Sequence, residues 1–212
     1  MAIRSLQLCL VFAVLVQLAV SAIVKDDLIF GLPGFNNKAR TVRKLVHNAN
    51  WTSLATISSN QLAGFPMIDV VAVADSPVGG DSTGNIYFYL SGSGFVTQNI
   101  NVINNVTALF VTDDELDCQN QNMGSLQPSC SQAVISGSVI QLNVGSQAYT
   151  QGQTAVLSRH PASTNWIQNN NYYLCQLNVE NVYLFDSDGV HNISVKDYYN
   201  DKIFGIFSFE EQ

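Results

Sequence analysis

The chain has 212 residues, of which 47% are hydrophobic and 12% are charged, and its formal net charge is −7. This length allows one sizeable hydrophobic core, and the hydrophobic fraction argues against an intrinsically disordered chain. Binding of nucleic acid through its phosphates is disfavoured as well, because that mode of binding needs a basic surface.

The first 22 residues are predicted to be a secretory signal peptide. Arg4 precedes a nearly unbroken apolar run, Leu6–Val20, and the small residues Ser21 and Ala22 follow it. A membrane anchor is the alternative, but a run of about 15 residues is shorter than the ~20 that span a bilayer. The mature chain, residues 23–212, is then expected to be a single secreted domain without membrane insertion.

A helix is predicted at the start of the folded region, over Lys38–Asn48. Apolar side chains recur there at helical spacing, and the opposite stripe consists of Arg40, Arg43, Lys44 and His47. We interpret this basic stripe as a solvated helix face that offsets an acidic protein. A binding site for an anion or a partner is the alternative.

The hydrophobic period then changes to that of a β protein. Segments rich in Val, Ile, Phe and Tyr predict strands at Thr52–Ser58, Phe65–Ala74, Ile86–Ser91, Thr107–Thr112, Ala133–Asn143 (with a bulge at Gly137) and Tyr172–Asp186, then a turn at Asp188-Gly189 and a short segment, His191–Val195. Helices are favoured at Gly94–Asn104 and at Thr150–Arg159. Strands spaced regularly around an apolar interior predict a mainly β domain, a barrel flanked by two or three helices.

Three cysteines remain after the signal peptide. Cys118 and Cys130 lie in a polar, loop-like stretch, whereas Cys175 lies on the apolar face of an alternating segment. A disulfide between Cys118 and Cys130 is therefore predicted, with Cys175 as a buried thiol. Three free thiols are the alternative. A nucleophilic role for Cys175 is disfavoured because no His lies near it in a matching pattern.

Three N-x-S/T sequons follow the signal peptide, at Asn50, Asn105 and Asn192. In a secreted protein each is a predicted glycosylation site. Asn105 and Asn192 are expected at polar turns before apolar strands. Trp51 is expected to pack inward, which would restrict access to Asn50.

A set of short motifs also occurs in a characteristic order. They are Ala39-Arg40 with Arg43, Trp51-x-x-Leu54-Ala55-Thr56-Ile57-Ser58, Gly64-Phe65-Pro66 with Asp69-Val70, Tyr87-Phe88-Tyr89-Leu90-Ser91, the cysteine pair, Ser136-Gly137, Arg159-His160-Pro161, Trp166, Leu177-Asn178, Asp186 with Gly189, and Asp197-Tyr198-Tyr199. Over about Lys38–Asn200 this order resembles the CREG family of secreted glycoproteins.

The resemblance implies a split β-barrel of the FMN-binding, pyridoxamine-phosphate-oxidase-like type. It further implies a homodimer that is secreted or endosomal–lysosomal and that restrains proliferation and promotes differentiation. The expected partners are a second copy of the chain and a cell-surface or glycan-sorting receptor.

Flavin chemistry is not expected to accompany this fold. The stretch Leu45–Ser158 contains no Lys or Arg and seven acidic residues. Burying the FMN phosphate without a basic partner costs several kcal/mol. The sequence therefore predicts a non-enzymatic protein without a cofactor, and an FMN-dependent oxidoreductase is the alternative.

Other sites are weighed in the same way. Arg159 and His160 are interpreted as the end of a helix, whose dipole they complement; a partner contact or a pH sensor is the alternative. The three histidines, His47, His160 and His191, have no zinc-ligand spacing. A plain β-turn is favoured over a calcium loop at Asp186–Gly189.

Overall fold

The computed structural model describes residues 37–60, 62–111, 130–169 and 171–201. The elements in chain order are α1 (Asn37–Asn48), β1 (Trp51–Ile57), β2 (Pro66–Ala74), β3 (Ile86–Ser91), α2 (Phe95–Ile100), β4 (Val106–Val111), β5 (Gln132–Gln141), α3 (Gln147–Arg159), α4 (Ser163–Asn169), β6 (Tyr172–Asp186), β7 (Gly189–Ile193) and α5 (Val195–Asn200). Every strand predicted from the hydrophobic period is present, and the ambiguous segment at residues 94–104 contains the favoured short helix. Two short helices, α4 and α5, were not predicted.

The strands form one antiparallel sheet that closes on itself. Their order is β3-β2-β1-β4-β5-β6-β7, and β3 also pairs with β6. Six strands therefore make a barrel, and β7 extends the sheet beyond it. The 15-residue β6 makes this possible because Tyr172–Leu177 pair with β3 while Val182–Asp186 pair with β7. The predicted barrel is confirmed.

The interior of the barrel is built from alternate residues of each strand. Leu54, Phe110 and Ile135 are fully buried members of this core, and α1 contributes Val42 and Val46 from its apolar face. Full burial of such a side chain stabilises by roughly 1.5–3 kcal/mol, so the apolar period of the sequence is enough to orient the strands.

Strand β3 is buried on both faces. Phe88 and Leu90 point into the barrel, whereas Tyr87 and Tyr89 pack outside it in a second apolar cluster with Val156 of α3. This cluster fixes α3 and α4 against β3 and β6. The double burial explains why the strand reads as an apolar run rather than as an alternating pattern.

A β-bulge interrupts β5 where it was predicted. The register between β5 and β6 shifts between Ser136 and Gly137. A Cβ atom at Gly137 would overlap the carbonyl oxygen of Asn178. The backbone of β6 therefore approaches so closely that only glycine fits at this position.

Candidate functional site

Arg159, interpreted from the sequence as a helix end with a partner contact as the alternative, ends α3 and reaches back into the protein. Its Nε donates a hydrogen bond to the carbonyl oxygen of Ser76 at 2.8 Å, and its Nη1 donates to the carbonyl oxygen of His47. Nη2 lies 3.2 Å from Oδ1 of Asp75. The guanidinium thus joins α3 to α1 and to the loop after β2, and the predicted helix end at Arg159 is confirmed.

Asp75 lies at the centre of this polar cluster, and its side chain is 0% exposed. It accepts hydrogen bonds from Nδ1 of His47 at 2.8 Å and from Oγ of Ser82 at 2.6 Å. Burial alone would raise the pKa of Asp75, but these two hydrogen bonds and the charge of Arg159 hold that pKa below its usual value. Asp75 is therefore a stable buried anion that organises three elements.

The interpretation of the basic stripe as a solvated helix face is wrong at Arg43. Its side chain is 1% exposed and donates to Ser82 through Nε at 3.1 Å and to the carbonyl oxygen of Tyr198 through Nη1 at 2.9 Å. The guanidinium also lies 5.4 Å from the ring centre of Tyr198. Loop 75–85 and α5 cover this part of α1, whereas Lys44 remains exposed.

His160 caps α3 and contacts the barrel. Its Nε2 donates to the carbonyl oxygen of Val73 at 3.0 Å, close to the two residue pairs that join β2 to β3. Because a carbonyl can only accept, Nε2 carries the proton. Both Arg159 and His160 thus have structural contacts within the chain, and the alternative interpretation, a partner contact, is untested.

A cleft of about 320 Å³ lies beside the Asp75 cluster, between loop 75–85 and α3. Asp75 and Asp81 line one side, and Tyr87, Thr150 and Thr154 are among the other lining residues. The lining includes these two acidic residues and no Lys or Arg, which opposes the binding of a phosphate in this cleft. The seven described strands carry no Lys or Arg, and Arg43 and Arg159 donate to groups of the chain itself. The residues that line this cleft and those of the described strands do not fit the phosphate of a flavin.

The hairpin between β6 and β7 holds a second charged cluster. Oxygen and nitrogen atoms of Asp186, Asp188 and His191 lie within 4.8 Å of one another. Lys38 donates to Asp186 at 2.7 Å and to Asp188 at 2.9 Å, so an ammonium group lies between the two carboxylates. The predicted β-turn is confirmed, since Asp186 pairs directly with Gly189.

Among the described residues, one outer surface of the barrel is largely apolar and partly or fully exposed. In register across the sheet it runs from Val70 through Ser53, Leu109 and Val134 to Tyr183. Val70 is 61% exposed, and three neighbours on the same side are also large and exposed: Trp51, Ile68 and Phe185. We call the surface formed by these eight residues the outer apolar face. All eight are uncharged.

Trp51 points outward, so the expectation that it packs inward is wrong. The alternation of β1 turns Thr52, Leu54 and Thr56 into the barrel, which leaves the tryptophan on the outer apolar face. The sequence missed this face because each strand contributes only one or two of its residues. Its members become neighbours only through the strand register.

The predicted modification sites lie in several places. Asn50, Asn105 and Asn192 are all exposed. Asn105 directly precedes β4 as expected, whereas Asn192 lies within β7 and pairs with Tyr183. Their glycosylation stays a prediction.

The cysteines differ in how far the structure describes them. Cys175 is a free, fully buried thiol, as predicted, and burial raises its pKa to about 12. Cys130 is buried, but Cys118 lies outside the described residues, as does the predicted signal peptide. The pairing of Cys118 with Cys130 therefore stays a prediction. In the described ranges, no helix combines the length and apolar character needed to cross a membrane.

Solved structures share this fold at low sequence identity. A heme binding protein from Mycobacterium smegmatis matches with a TM-score of 0.63 and 14% identity over 78% of this chain and 61% of its own. A Clostridium acetobutylicum protein related to general stress protein 26 of B. subtilis, described as pyridoxinephosphate oxidase family, matches with a TM-score of 0.53 and 12% identity over 76% of this chain and 96% of its own. These likenesses establish a barrel of the pyridoxinephosphate-oxidase type.

Relatives with higher identity identify the family. Protein CREG1 of Gallus gallus is 26% identical over 81% of this chain and 90% of its own length, and Protein CREG1 of Homo sapiens is 29% identical over 80% and 76%. Protein CREG2 of Homo sapiens is 26% identical over 79% of this chain and 57% of its own length. The family profile described as CREG, beta-barrel matches residues 33–200. The chain therefore belongs to the CREG family.

Proposed function

We propose that this protein is a secreted or endolysosomal glycoprotein without enzymatic activity that acts through protein contacts as a homodimer. Its role would be the control of cell growth and differentiation through a cell-surface or glycan-sorting receptor, as membership of the CREG family suggests. The observation that carries the proposal is the outer apolar face, because a large uncharged patch on a soluble domain is typical of a protein interface.

A second copy of the chain is the occupant that best suits this face. Without the predicted signal peptide and its single charged residue, Arg4, the formal charge of each copy changes from −7 to −8, so two copies repel one another over most of their surfaces. The outward positions of β1, β2, β4 and β5 are all uncharged. Asp69 of β2 is not one of these positions, because it pairs with the buried Leu54 and so belongs to the opposite side of the sheet. Self-association through this side of the barrel therefore avoids the repulsion.

The shape and composition of the face also suit a two-fold interface. Four strands spaced about 4.8 Å apart make the row from Val70 to Val134 about 14 Å wide. Trp51 supplies an aromatic group of the kind enriched in interface cores. Tyr183 lies at the rim, because its cross-strand neighbour Asn192 is a predicted glycosylation site. In a two-fold dimer the same patch serves both partners, so one apolar face is sufficient.

The absence of enzymatic activity is proposed because the described strands and the cleft beside the Asp75 cluster offer a flavin phosphate no Lys or Arg. The likeness to the pyridoxinephosphate oxidase family makes an FMN-dependent oxidoreductase the main rival. Two observations support the proposal over this rival function. The described strands carry no Lys or Arg, and the acidic residues Asp75 and Asp81 line the cleft beside α3. The visible spectrum of the purified protein separates the two functions. Flavin absorbance that stays with the protein through gel filtration would contradict the proposal.

Light scattering tests the dimer directly. We expect the glycosylated wild-type protein to have the mass of a dimer at micromolar concentration, and Val70→Glu to have that of a monomer, because it places two like charges in the interface. Val144→Glu is the matched control, since Val144 is 84% exposed in the loop between β5 and α3. A monomeric wild type, or equal behaviour of both variants, would overturn the proposed interface.

A further inference from the structure

A second cleft, of about 490 Å³, lies on the outside of the barrel beside the β-bulge. The end of β1, the starts of β2 and β4, and the bulged region of β5 and β6 surround it. Asn105 is one of its lining residues, so a predicted glycosylation site lies at the wall of this cleft. Asn50 and Asn192 do not line this cleft.

The segment that carries Asn105 is held on both sides. The preceding Asn104 makes two hydrogen bonds to the backbone of Val139, since its Nδ2 donates to the carbonyl oxygen at 3.0 Å and its Oδ1 accepts from the N–H at 2.9 Å. The hydroxyl of Thr107, the third residue of the sequon, lies 2.9 Å from that of Ser136. Both anchors are on β5, on either side of Gly137. The direction in which Asn105 leaves the backbone is therefore fixed by the fold.

The two walls of the cleft differ in chemistry. Ile57 and Pro66 form an apolar wall, and Ser136, Glu180 and Asn181 form a polar one. The carboxylate of Glu180 is oriented, because its Oε1 accepts hydrogen bonds from Oγ of Ser138 at 3.0 Å and from Nδ2 of Asn178 at 3.3 Å. An apolar wall facing a few oriented polar groups is typical of a small-molecule site.

An N-acetylhexosamine matches both walls. Its acetyl methyl group and the apolar face of its ring suit Ile57 and Pro66. Its hydroxyl groups and amide N–H are donors for the carboxylate of Glu180 and the side-chain oxygen of Asn181. The exposed Asn105 is a predicted attachment point for such a sugar. A sugar tethered there would have an effective concentration in the millimolar range, so weak contacts would be sufficient to hold it.

We propose that this cleft seats the first N-acetylglucosamine of an N-glycan on Asn105. The inference rests on the proposed function in one respect, the glycosylation of the chain. The cleft adjoins the outer apolar face, because Ala55, which lines it, pairs with Ile68 of that face. A seated sugar gives this glycan a fixed direction on the barrel, unlike glycans on Asn50 and Asn192. The bulge at Gly137 would thus serve to shape a carbohydrate seat as well as to bend β5.

The test uses full-length secreted protein that carries high-mannose glycans labelled in the acetyl groups. Endoglycosidase H trims each glycan to one N-acetylglucosamine, and Asn105→Gln identifies the acetyl methyl signal of that site by its loss. We expect NMR contacts between this methyl group and Ile57 or Pro66, and no comparable contacts for the sugar on Asn192, which serves as the internal control.

Native release of untrimmed glycans by a peptide amidase gives a second readout. The Asn105 glycan should be released about tenfold more slowly from wild type than from Glu180→Ala, as a closed state favoured tenfold would produce. Asp69→Ala, an exposed acid that does not line the cleft, should leave the rate unchanged. Glycopeptide mass spectrometry reports whether Asn105 carries a glycan at all.

The outcomes separate the two proposals. An unmodified Asn105 overturns the seat and the predicted glycosylation of this site, whatever the state of Asn50 and Asn192. A modified Asn105 whose sugar has no contacts with the barrel overturns the seat alone. The seat would also be overturned if the Glu180→Ala variant kept both the NMR contacts of the sugar and the wild-type rate of glycan release. The polar wall would then contribute nothing to holding the sugar.

Discussion

Arg159 and Asp75 are 84 positions apart in the chain, yet Nη2 of Arg159 lies 3.2 Å from Oδ1 of Asp75. The pair connects the last residue of α3 to the first residue after β2, and His47 extends the connection to α1. A buried carboxylate with this many donors cannot lose its charge without leaving them unpaired. The stability of this end of the barrel therefore depends on Asp75.

Replacing Asp75 tests this dependence. We expect Asp75→Asn to lower the free energy of unfolding by about 3–5 kcal/mol, because the side chains of Arg159 and His47 lose their buried anion. Urea denaturation followed by tryptophan fluorescence measures the change. Asp188→Asn is the control, since its side chain is 71% exposed beside Lys38 and an exposed ion pair contributes about 1 kcal/mol or less. Equal losses in the two variants would contradict the assigned role.

The same carboxylate determines part of the response to acid. The pKa of Asp75 is held below its usual value of 3.8, because hydrogen bonds from His47 and Ser82 outweigh the effect of burial. Its ionised form therefore stabilises the fold above the pKa of the unfolded chain, and this stabilisation is lost as pH falls through the lower pKa of the folded state.

The prediction is that the acidity of a lysosome does not weaken this cluster. The difference in unfolding free energy between wild type and Asp75→Asn should not decrease from about pH 7 to about pH 5 and should shrink as pH falls through 3.8 and below. Urea denaturation at a series of pH values measures it. A difference that already shrinks above pH 5 would contradict the prediction, because it would mean that the pKa of Asp75 is not held below its usual value.

The bulge at Gly137 gives a steric prediction. Gly137→Ala should lower the free energy of unfolding by about 3 kcal/mol, because the new Cβ overlaps the backbone of Asn178. This value is the upper end of the about 1–3 kcal/mol that overpacking typically costs. Thermal and urea unfolding measure the loss. Gly94→Ala is the matched control, since Gly94 has an ordinary φ of −68° at the start of α2 and its Cβ would have no contact under 3.4 Å. A Gly137→Ala protein as stable as this control would contradict the register of β5 and β6.

Thiol counting tests the cysteine assignment. In the secreted protein we expect the native fold to react with no thiol reagent, because Cys175 is fully buried and its pKa is raised to about 12. Unfolding without reductant should expose one thiol, and unfolding with reductant should expose three. Three thiols without reductant would rule out a bond between Cys118 and Cys130, a bond that would stabilise by roughly 3 kcal/mol.

Local patterns predicted much of the fold correctly. The alternation of β1 and β5, the apolar run of β3 and the glycine at the bulge of β5 are properties of short segments, and each produced the expected element. Pro161 and the basic residues before it likewise marked the end of α3. The start of that helix was placed three residues late, because its N-cap, Ser146, which accepts from the N–H of Tyr149, lies before any apolar period.

The sequence by itself determined the strand pattern, the family, the acidic balance and the lack of basic residues on the barrel, because these depend on residue type and on near neighbours. Only the tertiary structure decided that Arg43 is buried and that Trp51 points outward. The hydrogen bonds of Arg43 reach residues 39 and 155 positions away along the chain. The tertiary structure alone also assembled the outer apolar face and placed Asn105 at a cleft. Strand register and loop packing create these neighbours, and neither leaves a periodic signal in any one segment.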